Sequence, residues 1–172
     1  MLVFHITMCY NSFMKITILS VGKIKEKYFK DAISEYKKRL SRYCKLEIIE
    51  VPDERAPEQA SAKEEATIRD REGERLLKHI REEAYVITLE VAGKALDSIQ
   101  FAQKIEDLGV SGVSQLYFVI GGSIGLGESV RKRADLALSF SKLTFPHQLM
   151  RVVLLEQIYR GYRIMKGEPY HK

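Results

Sequence analysis

The residues that carry chemistry by type gather in the last third of the chain. Gly121-Gly-Ser-Ile-Gly-Leu-Gly127 is a glycine loop whose backbone a ligand can touch directly, because no side chain stands in the way. Phe140 to Phe145 mixes the hydroxyls of Ser141 and Thr144 with the apolar Phe140, Leu143 and Phe145, the mixture of a pocket wall or of an ordinary β-to-α loop. His147 stands at the start of the last apolar stretch, where a histidine either holds a loop or takes part in proton transfer. The tail Pro169-Tyr-His-Lys172 brings an aromatic ring, an imidazole and an ammonium together directly after that stretch.

The glycine loop fails the tests for phosphate binding. Gly122 and Gly127 have the spacing of a P-loop and Ser129 falls at its hydroxyl position, but Glu128 occupies the lysine position and would repel a polyphosphate. The dinucleotide spacing GxGxxG fails because Gly125 and Gly127 are followed by Val130. What remains is a tight turn, or backbone that hydrogen-bonds a flat heterocycle. The four histidines form no metal set, the two cysteines (Cys9 and Cys44) have no zinc spacing, and no GxSxG elbow occurs.

The elements that must position these loops follow from periodicity. Apolar runs at 16–21, 46–51, 85–89, 116–120 and 136–140 read as strands. Helical patterns lie between them at 26–43, 61–83, 98–108 and 129–134, and a last helix runs from Pro146 to Gly167. Alternating strands and helices predict an α/β fold with a mainly parallel sheet and helices on both faces. In such sheets ligands bind beyond the carboxyl ends of the strands, where the loops after Leu89, Ile120 and Ser139 all fall. The helix at 61–83 alternates its charges and is expected to be exposed, with Ser61 and Glu64 as a capping box. The last helix is apolar nearly all round, from Leu149 to Met165, which predicts cover on several sides and a homodimer with this helix near the interface.

Length and composition fit one soluble domain. The chain has 172 residues, 45% hydrophobic and 30% charged. Residues 1–13 read as an N-terminal extension, 14–172 as a single domain. Two cysteines imply a reducing, cytoplasmic setting, and no stretch is apolar and long enough to span a membrane. The net charge of +5 is unevenly spread: residues 15–45 carry ten basic and three acidic side chains, residues 46–107 nine and sixteen, residues 108–172 nine and four. Basic ends suit a phosphate-rich partner, with Lys23, Lys25, Arg131, Lys132 and Arg133 as candidate contacts.

The glycine loop from Gly121, the segment Ser139-Phe-Ser-Lys-Leu-Thr-Phe-Pro-His-Gln148, the run Leu155-Glu-Gln-Ile-Tyr-Arg160 and the Pro-Tyr-His-Lys ending together resemble the ribosomal RNA large subunit methyltransferase H family of the SPOUT class. The resemblance extends from Met14 to Lys172. It implies a C-terminal trefoil knot, S-adenosylmethionine as cofactor, methylation of N3 of a pseudouridine in 23S rRNA, a homodimer, and no metal. By motif, the cofactor contacts it implies are Leu89, Gly121, Phe140, Ser141, Lys142, Leu143, Thr144 and Phe145. Chemistry at a weakly acidic N3–H then assigns His171 as base, Tyr170 as a stacking or hydrogen-bonding group and Arg160 as stabiliser of the developing anion. The other readings are a different SPOUT activity, such as tRNA methylation, and a non-catalytic ribosome-associated RNA-binding protein.

Overall fold

A computed structural model describes residues 14–169. Its five strands are β1 (Lys15–Val21), β2 (Lys45–Val51), β3 (Tyr85–Ala95), β4 (Gln115–Ile120) and β5 (Leu136–Ser139). They form one sheet in the order β2-β1-β4-β3-β5, and every pairing is parallel. The helices are α1 (Lys27–Leu40), α2 (Ala62–Leu77), α3 (Ser98–Val110), α4 (Glu128–Arg133) and α5 (His147–Met165).

The central strands are apolar on both faces because both faces are covered. Successive side chains of a strand point to opposite sides. Ile16, Ile18, Leu116, Phe118 and Ile120 therefore enter one core, beneath Leu40 of α1, Phe101 and Ile105 of α3, and Leu154, Leu155 and Ile158 of α5. Leu19, Val21, Tyr117 and Val119 enter the other, beneath Leu76 of α2 and Val130 of α4. Each fully buried Leu, Ile or Phe contributes about 1.5–3 kcal/mol, so this two-sided core is what holds the strand ends, and the loops on them, in fixed positions.

Three departures from the sequence reading have physical causes. Helix α2 ends at Leu77 rather than at Glu83. His79 and Ile80 donate to the carbonyls of Leu76 and Leu77, a tightened last turn that redirects the chain into β3. The same helix is not an exposed polar rod: Ile68, Glu72, Gly73 and Leu76 are buried against the sheet and α4, and the alternating charges occupy only its outer face. Strand β3 runs on to Ala95, because its register on β5 slips between Leu89 and Lys94 and lets residues 90–93 bow out before pairing resumes. The capping box of Ser61 with Glu64 is present as read, and Asp97 caps α3 in the same way with Gln100.

Candidate functional site

The carboxyl ends of β3, β4 and β5 open into a cavity of about 680 Å³, a size that suits a nucleoside-bearing ligand. Its floor is Ile120, Gly121 and Gly122. The glycine loop folds back on itself, with Gly125 N–H donating to the Gly122 carbonyl at 3.1 Å. A Cβ on Gly121 would stand 2.8 Å from the carbonyl carbon of Gly125, so only glycine permits this turn.

One wall is the bowed segment of β3, comprising Leu89, Glu90, Val91 and Ala92. The Glu90 carboxylate accepts from the Thr88 hydroxyl at 2.7 Å and pairs with Arg131 at 3.1 Å. The opposite wall is the loop after β5. Ser139 donates its hydroxyl toward the carbonyls of Val91 (2.9 Å) and Ser141 (3.0 Å), which ties this loop to the bowed segment. Leu143 N–H donates to the Ser141 hydroxyl, and Phe140 packs edge-on against Phe101. Leu143 is 70% exposed and Phe145 39%. Apolar side chains held open on a cavity rim are surface that a flat, apolar ligand face would cover.

Helix α5 closes the cavity with His147 and Met150 and anchors it through Arg151. The Arg151 guanidinium is 1% exposed. It donates to the carbonyls of Val21 (2.8 Å) and Gly22 (2.7 Å) and to Glu50 (2.7 Å), which locks the start of α5 onto the ends of β1 and β2. Burial, with help from the neighbouring Arg151 cation, holds the His147 imidazole below its usual 6.5, while Asp53 opposes the shift. The imidazole at the cavity mouth is therefore neutral at neutral pH.

Of the sequence-predicted cofactor contacts, Leu89, Gly121, Phe140, Ser141, Leu143, Thr144 and Phe145 all line this one cavity, and Lys142, on the same loop, is not among its lining residues. Arg160 is not brought to it. It lies on α5 thirteen residues beyond His147, about 20 Å along the axis at 1.5 Å per residue, paired with Glu156 at 2.6 Å. Tyr170 and His171 lie outside the described residues.

Among the basic candidates, Lys23 and Lys25 are exposed beside the cavity end of α5, with Lys25 N–H bonded to Gln148. Arg131 lines the cavity and Lys132 pairs with Glu128. Arg133 is a structural residue instead: its guanidinium caps the carbonyls of Arg81, Glu82 and Ala84 and pairs with Asp135. Sequence reasoning missed Glu90 and Arg151. A lone arginine within an otherwise apolar helical run was the signal for Arg151; Glu90 had none, since its place depends on the slipped register of β3.

Among the described residues no group of acidic, histidine or cysteine side chains is placed to hold a metal, and no helix is long and apolar enough to cross a membrane.

The family model "Predicted SPOUT methyltransferase" matches residues 14–171. Relatives named ribosomal RNA large subunit methyltransferase H align over their whole length and over 92% of this chain. Those of Bifidobacterium adolescentis and Clostridium tetani are each 62% identical, and that of Alkaliphilus oremlandii is 60% identical.

Proposed function

We propose, from the premise that this chain belongs to the SPOUT methyltransferase family, that it transfers the methyl group of S-adenosylmethionine to N3 of a pseudouridine in the 23S rRNA of the large ribosomal subunit. The observation that carries this reading is the convergence of Leu89, Gly121 and the 140–145 loop on one cavity, in a chain matched to that family along nearly all its length. The residues present suit the coenzyme. Leu89, Leu138, Phe140 and Leu143 offer apolar faces for an adenine, the glycine loop offers backbone donors and acceptors, and Glu90 and Arg131 offer charge at the wall. The trefoil knot and a cytoplasmic setting belong to the same reading.

When bound, the coenzyme supplies a methyl group already activated on a sulfonium. The protein's part is then to align the acceptor nitrogen and to take its proton. In this reading His171 accepts the N3 proton, Tyr170 stacks on or hydrogen-bonds the base, and Arg160 stabilises the imide charge as it develops.

Reach supports a homodimer. Glu168 is held against Arg42, Tyr43 and Arg163 at the far end of α5, which is 19 residues long and spans about 28 Å. In this reading Arg160, about 20 Å along α5 from His147, acts in the cavity of a second copy rather than its own. The half-buried apolar side chains of α5, including Leu149, Val152 and Val153, provide the surface for that pairing.

The test is transfer of tritiated methyl from S-adenosylmethionine to ribosomes, to naked 23S rRNA and to tRNA, with mass spectrometry locating the methyl group. Incorporation into ribosomes at a pseudouridine N3 is expected. Incorporation into tRNA alone, or coenzyme binding with no transfer to any RNA, would overturn the reading.

A further inference from the structure

Behind the glycine loop sits an acid that the site described so far does not use. Glu72, on the inner face of α2, is 4% exposed. One carboxyl oxygen accepts from Glu54 N–H at 2.9 Å. The other, Oε2, has no hydrogen-bond partner among the described residues. A Cβ on Gly122 would lie 3.0 Å from that oxygen. Gly122 itself lines the cavity, so the thickness of one backbone, with no side chain on it, separates the free oxygen from the pocket.

The neighbouring charges compensate this acid only in part: Arg75 favours its charged form, while Asp53 and Glu54 oppose it. Asp53 and Glu54, from the loop after β2, add negative charge, and Arg75, one turn further along α2, is engaged by Glu54 and by the Pro52 carbonyl. His147 faces the same corner across Gly22 and Asp53 and is neutral. Burying a carboxyl with an unmatched oxygen is unfavourable. A positive charge delivered into the pocket would relieve that cost.

We propose that Glu72 is the counter-charge of the glycine-loop pocket and makes it prefer a cationic sulfonium ligand over the neutral thioether left after methyl transfer. This rests on the reading of the cavity as a sulfonium coenzyme site. It gives turnover a direction, since the product loses the attraction that held the substrate. Burial, reinforced by Asp53, holds the Glu72 carboxyl above the usual carboxylate range. A cation across Gly122 pulls it back down, so binding the sulfonium favours proton release more than binding the thioether does.

Calorimetry of wild type and Glu72→Gln with S-adenosylmethionine and with S-adenosylhomocysteine, in buffers of different ionisation heat, tests this. The two ligands share their amino and carboxylate groups, so the ratio of their Kd values isolates the sulfonium. Glu72→Gln is expected to weaken S-adenosylmethionine on the order of tenfold, to leave S-adenosylhomocysteine unchanged and to abolish the difference in proton release. Equal weakening of both ligands, or of neither, overturns the proposal. Should the variant not fold, wild type alone decides: a Kd ratio that stays constant with pH, together with no difference in proton release, overturns it. Binding of neither ligand sinks the coenzyme reading as well, whereas tight binding of both without discrimination sinks only the counter-charge.

Discussion

The two ends of α5 are built on opposite plans. At the far end most polar groups are committed, Arg163 Nε excepted among the described residues. Glu168 accepts from the Tyr43 hydroxyl at 2.6 Å and pairs with Arg163 and Arg42, while Tyr43 stacks on Tyr162 with ring centroids 5.4 Å apart. At the cavity end, Glu72 keeps an oxygen without a partner among the described residues, the His147 pKa is pushed down by burial, and Leu143 stands in solvent. One end spends its interactions on holding the chain. The other leaves capacity for a ligand, and stays in shape only because Arg151 fastens it to β1 and β2.

That contrast breaks most sharply at Arg151. Arg151→Met leaves Glu50 and two carbonyls facing an apolar side chain, and a loss of about 3 kcal/mol is expected by urea denaturation. A loss below 1 kcal/mol would mean that the latch is dispensable. Gly121→Ala comes next. Its Cβ meets backbone that cannot rotate away, so a loss of roughly 1–3 kcal/mol is expected together with at least a tenfold fall in coenzyme affinity by calorimetry. Unchanged affinity would remove the glycine turn from the site.

At the far end, Tyr43→Phe should cost about 1 kcal/mol and leave coenzyme affinity unaltered. An equal effect on binding would show that the two ends are not separable in this way.

Acid should act on the cavity end through His147. Its folded pKa lies below the usual 6.5, so the neutral form is favoured by folding. The stability it contributes is complete above pH 6.5 and is lost as pH falls below that value. Thermal melts of wild type and His147→Gln should diverge below pH 6.5, and parallel curves would contradict the assignment. The smallest effect belongs to Cys44, whose thiol is pushed up to about 12 by burial. The peptide carrying it should stay unalkylated in folded protein at pH 8 and be labelled once unfolded. Labelling in the native state would show that the far end opens.

The alternating strand and helix pattern, the loops at strand ends and the Ser61–Glu64 capping box were legible because each depends on neighbours a few residues apart. Seven of the eight cofactor contacts implied by resemblance line one cavity; Phe140, Ser141, Leu143, Thr144 and Phe145 come as one short segment, whereas Leu89 and Gly121 join them only through the sheet. The burial of α2 was misread because a helix with alternating charges can still turn one narrow face inward. Ile68, Glu72 and Leu76 show that face only once the sheet is present to receive it.

Residue order alone was enough for the parallel sheet with helices on both faces, because strand and helix periods and turn residues are local properties of a chain. The residue contacts that make the site belong to the folded molecule: Arg151 with the carbonyls of residues 21 and 22, Glu72 behind Gly122, and the bowed Glu90 segment tied to Ser139. Such pairs are separated by tens of residues, up to 130 for Arg151 with Val21, and are set by how the two cores seat helices against strand ends. No local pattern in the chain encodes that seating.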